Sequence, residues 1–165
     1  MRYLLLAALL SLATLTASAQ PYGHVNFGNL LSEMPEVKTA ETELQTFEKQ
    51  LRARGEKMVA DYQARVAEIE AKIDDVTPKQ LEAYKQEFAA TEQKIRNFEQ
   101  QMGRDVEGKR QELLGPIIQR AKDAVQAVAK EKGYTMVFDS SIFGTILFAE
   151  EMTDLLPLVQ EKLTR

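Results

Sequence analysis

The stretch DDVTPKQ (residues 74–80) decides the fold, because it separates two long segments of helix-forming sequence. Thr77 is a good helix N-cap, and Pro78 suits the first position of a helix, where its missing N–H is not needed. The residue before a proline is also disfavoured in helical geometry. We therefore predict that one helix, about 36–75, ends before this stretch and that a second, about 78–132, begins within it.

Both predicted helices are rich in Glu, Gln, Lys, Arg and Ala, and both carry a periodic apolar seam. In the second helix, the seam has the alternating three- and four-residue spacing of a coiled coil, with one polar interruption. Its positions are Leu81, Tyr84, Phe88, Thr91, Ile95, Phe98 and Met102. Two helices that each carry an apolar seam and are joined by a short connection predict a long antiparallel coiled-coil hairpin.

Three short segments outside the helices are rich in β-forming residues. They are residues 22–27, 134–139 and 144–149. In the first segment, Val25 and Phe27 alternate with polar residues, as in a strand with one buried face. Turn-forming residues separate the other two segments, so we expect these two strands to pair antiparallel. The tail, about 154–163, has the spacing of a short amphipathic helix.

Two further signals divide the predicted chain into an arm and a body. Gly115 and Pro116 lie within the second helix, and a proline removes a backbone hydrogen bond, so we expect an interruption and a bend there. Gly133 suits the end of that helix. The prediction is one α+β chain at 20–165, with a helical arm at 36–116 and a body at 20–35 and 117–165.

The first 19 residues have the features of a cleavable export signal. A basic start at Arg2 precedes the apolar run 4–10, and Ala17-Ser18-Ala19 fits the small-residue pattern that signal peptidase accepts. The run is shorter than the roughly 20 residues that span a bilayer. We expect cleavage after Ala19 and no stable membrane insertion afterwards.

Charge and cysteine content exclude several classes of function. The chain has 25 acidic and 21 basic residues, a formal net charge of -4, and no cysteine. Nucleic acid favours basic surfaces, so we expect no nucleic-acid partner. Without cysteine, thiol chemistry is excluded, and stability must come from packing or from association of subunits.

The sequence contains no recognisable catalytic constellation. His24 is the only histidine, which excludes a metal cluster built on several histidines. The serine pair at 140–141 lacks the context of a nucleophile and is typical of a turn. The carboxylate pairs at 74–75 and 150–151 are typical of solvated charge. We therefore predict no enzymatic activity and no cofactor.

The predicted body has too few strands to stand alone. Three strands leave two open edges, which natural proteins cover or pair, and a monomer would also expose the apolar side chains of these segments. Association of several copies through the body would solve both problems. The predicted association core consists of Val25, Phe27, Val137, Phe138, Ile146, Leu147 and Phe148.

The aromatic and methionine side chains of the arm allow two interpretations. They can pack inside the hairpin, or they can be partly exposed and contact client molecules, for which side chains of adaptable shape are suited. These client-binding candidates are Phe47, Met58, Tyr62, Tyr84, Phe88, Phe98 and Met102.

Glycines within the predicted helices indicate a possible flexible joint. Each glycine weakens a helix by about 1 kcal/mol relative to alanine. When the hairpin is folded about residue 77, Gly55 and Gly103 lie within about one turn of the same height. We expect the arm to flex there, with Pro116 as a further flexible point; the alternative is that exposed glycines are simply tolerated.

The two ends of the chain resemble a known family. Leu30-Leu31 with MPE at 34–36 opens the chain, and the segment from Gly133-Tyr134 to VFD at 137–139 follows the second helix. Together with the hairpin, these ends resemble the Skp/OmpH family of periplasmic chaperones. The resemblance implies a homotrimer with a β-barrel-like body built from strands of all three subunits. It also implies three arms around a cavity that holds unfolded outer-membrane β-barrel proteins without ATP.

The charge of this sequence departs from the pattern of that family. Better-known members are basic, whereas this chain is acidic, so we do not expect a lipopolysaccharide site, and apolar contact should carry more of the client binding. A rival interpretation is a periplasmic coiled-coil spacer that bridges partners and holds no client. Suppression of aggregation of an unfolded β-barrel protein would separate the two.

Overall fold

The computed structural model describes residues 21–149 and 152–164. The predicted signal peptide at 1–19 and the carboxylate pair at 150–151 lie outside the described residues. The elements in chain order are β1 (Tyr22–Val25), α1 (Phe27–Glu33), α2 (Pro35–Glu70), a 3-10 turn (Ile73–Asp75), α3 (Pro78–Lys132), β2 (Met136–Asp139), β3 (Thr153–Asp154) and α4 (Leu156–Thr164).

The described chain divides into two compact units. We call residues 21–31 with 120–164 the terminal unit, and residues 32–119 the helical unit. The terminal unit contains all three strands and α4, and the helical unit contains α2. No helix in the described ranges is both long enough and apolar enough to cross a bilayer.

The connection between α2 and α3 is closed by a capping box. The Gln80 backbone N–H donates to Thr77 Oγ1 at 3.3 Å, and Gln80 Oε1 accepts from the Thr77 backbone N–H at 2.9 Å. These reciprocal bonds satisfy backbone groups at the start of α3, so the predicted cap at Thr77 is confirmed. The first helix ends at Glu70, five residues earlier than predicted, because its last turn tightens into a bond from the Lys72 N–H to the Ile69 carbonyl.

Helix α3 begins and ends where the sequence predicts, at Pro78 and Lys132. The predicted interruption at Pro116 is wrong, because the helix continues through this residue. A proline removes only its own N–H, and the neighbouring hydrogen bonds keep the helix intact. Gly133 ends the helix with a φ of 74°, and the Tyr134 N–H reaches back to the Ala129 carbonyl at 2.9 Å. The predicted glycine cap is therefore confirmed.

The sheet is parallel, with strand order β2-β1-β3. Tyr22 is in register with Met136 on one side, and His24 is in register with Asp154 on the other. The expected antiparallel pairing is therefore wrong. The predicted strand at 144–149 does not form in the single chain: among the described residues this segment pairs with no strand, and it follows a turn at Gly144, whose φ is 81°. Thr153–Asp154 takes the third place in the sheet.

The first strand is shorter than predicted, because a local cap starts a helix. Asn26 Oδ1 accepts from the Asn29 backbone N–H at 2.9 Å, which is the arrangement of a helix N-cap. Phe27 is therefore the first residue of α1 and not a strand residue, which corrects the prediction for this position. Its backbone N–H donates to Asp139 Oδ1 at 3.3 Å.

The core of the terminal unit is built on side chains that are almost completely buried. They are Val25, Leu30, Ala121, Val128, Leu155 and Val159. Gly23 is required by this packing, because a Cβ at that position would lie 2.8 Å from Leu155 Cδ1. Asp154 Oδ1 caps α4 by accepting from the Leu156 N–H at 2.9 Å, and Lys162 of α4 pairs with Glu131 of α3.

Candidate functional site

The loop after β2 exposes large apolar side chains. Among residues 142–148, Phe143, Leu147 and Phe148 are 105%, 92% and 85% exposed, and Ile142 is 62% exposed. We call these residues the apolar segment. Monomeric proteins seldom expose so many large apolar side chains together, and such patches usually mark an interaction site.

The predicted association core separates into two groups. Val25 is buried inside its own chain, whereas Leu147 and Phe148 belong to the exposed apolar segment. Val137, Phe138 and Ile146 are half-buried, as is Phe27 in α1. The sequence-based strands left residues 142–143 in the connection between them, and the exposure of these two side chains was not predicted. The hydrophobicity of Ile142 and Phe143 was the available signal, because solvated turns favour polar residues.

The end of β2 is held by one carboxylate. Asp139 Oδ1 accepts from the Ser141 backbone N–H at 2.8 Å and from the Ser141 hydroxyl at 2.7 Å, in addition to the Phe27 N–H. Burial alone would raise the pKa of Asp139, but these hydrogen bonds to the charged form hold the pKa below its ordinary value. The carboxylate thus fixes the start of the loop that carries the apolar segment.

Polar contacts in the helical unit connect α2 with α3. The Tyr62 hydroxyl donates to Glu92 Oε1 at 2.7 Å, and Arg65 Nε donates to Glu87 Oε1 at 3.0 Å. At another level, Lys109 Nζ lies 2.9 Å from Glu43 Oε1. As the residue numbers rise along α2, those of the partners fall along α3. These pairs were not predicted from the sequence, because mixed charges on a helix surface do not identify their partners.

These contacts, and the ion pairs of Glu68 with Arg65 and Lys72, shift the pKa values of the groups involved. The hydrogen bond to Glu92 raises the pKa of Tyr62, because the neighbouring carboxylate disfavours a phenolate. The hydrogen bond from Lys72, followed by that from Arg65, lowers the pKa of Glu68. The hydrogen bond to Glu43 raises the pKa of Lys109. Each shift favours the ionisation state in which the contact exists.

Four of the seven client-binding candidates make ring contacts within the helical unit. Tyr62 and Phe88 meet edge to face, with ring centroids 5.7 Å apart. The Arg65 guanidinium lies 5.5 Å from the Tyr84 ring centroid, and the Arg54 guanidinium lies 5.2 Å from that of Phe98. All seven candidates are half-buried. Each side chain therefore packs in the unit and still presents part of its surface.

The two glycines of the predicted joint have different surroundings. A Cβ at Gly55 would lie 3.2 Å from Phe98 Cε1, so the glycine lets this ring approach the backbone of α2 closely. A Cβ at Gly103 would meet nothing within 4 Å. Close packing thus explains Gly55, whereas flexibility remains the prediction for Gly103 and Pro116.

Metal binding or catalysis would need suitable groups among the described residues. Within the described ranges, no three His, Cys, Asp or Glu side chains are arranged to hold a metal ion. His24 Nδ1 lies 3.3 Å from Ser140 Oγ, at the end of the sheet. The half-buried rings of Tyr62, Tyr84, Phe88 and Phe98 in the helical unit and the apolar segment are the features that point to function.

Comparison with known proteins identifies the family. A family model described as outer membrane protein (OmpH-like) matches residues 21–163, so the chain belongs to the OmpH-like family. A crystal structure from Caulobacter crescentus CB15, described as a candidate outer membrane chaperone (OmpH-like), has a similar fold. The two share 16% identity with a TM-score of 0.71, over 89% of this chain and 86% of the other. A comparison with curated protein sequences gives no significant match.

Proposed function

We propose that this chain is an ATP-independent periplasmic chaperone that holds unfolded outer-membrane β-barrel proteins and prevents their aggregation. Residues 1–19 direct its export and are removed. Three copies associate through a β-barrel-like body, and their antiparallel hairpin arms enclose a cavity for the client. The proposal rests on membership of the OmpH-like family and on the chaperone description of the similar structure from Caulobacter.

The exposure of the apolar segment is the single structural observation that supports the proposed association. Phe143, Leu147 and Phe148 are almost fully exposed in one chain, and burying such side chains stabilises an interface by about 1.5–3 kcal/mol each. The occupant of this surface is a second copy of the chain. Strand β2 lies at the edge of the sheet, so its outer backbone groups are available for a strand of that copy.

Residues 145–149 are suited to be that strand. The sequence TILFA favours β-structure, yet the segment pairs with no strand within residues 21–149 and 152–164. Pairing with a neighbouring subunit would satisfy its backbone groups and cover Leu147 and Phe148 together. The sequence-based strand at 144–149 would then form only in the assembled body.

Light scattering of the mature protein tests the association. We expect the mass of a trimer for the wild type, and a lower mass for Phe148→Asp, because a charge in a buried interface is costly. Val59→Asp is the matched control, since Val59 lies in the helical unit and is 36% exposed. A monomeric wild type, or an equal loss of mass in both variants, would contradict the proposed interface.

A holding assay tests the function itself. A denatured outer-membrane β-barrel protein is diluted from urea with and without the mature chain, in the absence of nucleotide, and turbidity is followed. We expect suppression of aggregation at about one trimer per client, with a complex of that composition in light scattering. A trimer that leaves aggregation unchanged would instead identify a coiled-coil spacer.

A further inference from the structure

An open cleft on the helical unit combines an aromatic ring with two cationic side chains. Its volume is about 440 Å³, within the range of small-ligand pockets. Arg54 of α2 lines one side, and Phe98 and Arg104 of α3 line the other. This volume accommodates one or two side chains of a polypeptide but not a folded domain.

The Phe98 ring packs against α2. The Arg54 guanidinium lies 5.2 Å from the ring centroid, and the backbone of α2 at Gly55 admits one edge of the ring. The ring is nevertheless only half-buried, so part of its surface faces the cleft that it lines. A second aromatic side chain could meet this surface edge to face, which is a favoured geometry.

Three polar side chains of the cleft are linked by hydrogen bonds. Gln101 Oε1 accepts from Arg104 Nε at 3.0 Å and from a terminal guanidinium nitrogen at 2.7 Å, while Gln101 Nε2 donates to Asp105 Oδ1 at 2.8 Å. Such a chain of bonds restricts the rotamers of all three residues, which reduces the entropy lost on binding. Asn97, which also lines the cleft, keeps amide N–H donors that match a peptide carbonyl.

We propose that this cleft binds segments of unfolded polypeptide in which an aromatic side chain lies beside a carboxylate. The aromatic ring packs on Phe98, the carboxylate lies between Arg54 and Arg104, and the amide side chains take the peptide backbone. This inference rests on the proposed holding function and names the part of the client that is recognised. Asp105 in the same cleft disfavours more highly charged groups such as phosphate, because like charges repel.

Fluorescence anisotropy with the full mature protein tests the cleft. The probes are two labelled peptides of equal length, one with repeated Tyr-Asp pairs and one with Leu-Asn pairs. We expect the Tyr-Asp peptide to bind more tightly. Arg54→Gln and Arg104→Gln should each weaken its binding about threefold, because exposed cation–π contacts and ion pairs are individually modest.

Arg110→Gln is the matched control, since Arg110 lies on the same helix outside the cleft and is also exposed. We expect this variant to bind as the wild type does. Asp105→Asn should tighten binding of the Tyr-Asp peptide about twofold, a gain that damage to the fold could not produce. Circular dichroism of each variant checks that its helix content is unchanged.

Two results would overturn the cleft while leaving the holding function intact. One is equal binding of the Tyr-Asp peptide by the Arg54, Arg104 and Arg110 variants, together with normal suppression of aggregation. The other is equal binding of the two peptides, because the Leu-Asn peptide offers neither an aromatic ring nor a side-chain carboxylate. Loss of aggregation suppression by the wild type would overturn the holding function instead, and the anisotropy series would still decide the cleft.

Discussion

The terminal unit and the helical unit are stabilised in different ways. In the terminal unit, Leu30, Ala121, Leu155 and Val159 are at most 1% exposed. In the helical unit, no side chain of residues 78–119 is buried, and the buried side chains of residues 34–69 keep 5–9% exposure: Met34, Val37, Ala40, Leu44, Leu51 and Ile69. There, half-buried rings and exposed polar pairs connect the two helices. The terminal unit therefore has a completely enclosed core, whereas the helical unit combines a set of less completely buried side chains with many weak contacts.

This difference has consequences for how each unit responds to change. Close-packed interiors respond to the loss or gain of a single methyl group. Exposed ion pairs each contribute little and are weakened by salt, so no single pair is essential. We therefore expect the helical unit to respond less than the terminal unit to the loss of one contact. The following substitutions test this contrast.

Leu155→Ala should have the largest effect on stability. The side chain is fully buried, so we expect a loss of about 3 kcal/mol in the free energy of unfolding, from lost burial and the cavity left behind. Leu81→Ala in the helical unit, where the side chain is 37% exposed, should lose about 1 kcal/mol or less. Urea denaturation at a fixed protein concentration measures both. Equal losses would remove the contrast between the units.

Gly23→Ala should be the next most damaging change. The added methyl would lie 2.8 Å from Leu155 Cδ1 and 3.0 Å from Leu155 Cγ, so the side chain or strand must move, at a cost of about 1–3 kcal/mol. Gly108→Ala, in open space on α3, should instead gain up to about 1 kcal/mol of helix stability. Thermal denaturation should therefore shift in opposite directions for the two variants. A shift in the same direction would contradict the packing argument.

Asp139→Asn should alter the acid stability of the terminal unit. The folded pKa of Asp139 is depressed, so its contribution is fully present above the ordinary value of 3.8 and is lost as pH falls through the lower folded pKa. We expect the variant to lose about 1–2 kcal/mol at neutral pH and to show a flatter decline in acid. Urea denaturation across this range measures the slope. Ser141→Ala removes one donor and should give an intermediate slope; identical slopes in all three proteins would exclude the role of the carboxylate.

Gly103→Ala should have the smallest effect and bears on flexibility. A methyl group there meets nothing within 4 Å, so we expect slower hydrogen exchange at about residues 98–106, up to about fivefold. Gly55→Ala should give less protection, because its methyl would press on Phe98. Unchanged exchange in the double variant would show that the two glycines are tolerated and do not form a joint.

Local sequence signals predicted the helices well. Thr77 and Gln80 form a capping box, and Gly133 adopts the left-handed conformation that ends α3. These signals act between residues that are close in sequence, so they can be recognised without knowledge of the fold. Asn26 is a signal of the same kind that was overlooked, and it explains why Phe27 starts a helix.

Signals that depend on distant partners were misread or missed. The sequence of residues 145–149 favours a strand, but propensity does not state whether a partner strand is within reach. Thr153–Asp154 forms a strand because β1 lies beside it, although two polar residues carry no strand pattern of their own. The ring contacts and ion pairs between the two long helices likewise join residues 19 to 66 positions apart, so only the fold could reveal them.

The position of β1 in the middle of the sheet has a consequence for the order of folding. Its partners lie more than 110 residues later in the chain, at 136–139 and 153–154. Contacts of such long sequence separation form slowly, whereas helices and neighbouring hairpins form early. The helices between these strands can therefore form while β1 is still unpaired. The sheet of one chain is complete only after residues 153–154 are available, and the association of copies proposed above would follow that step.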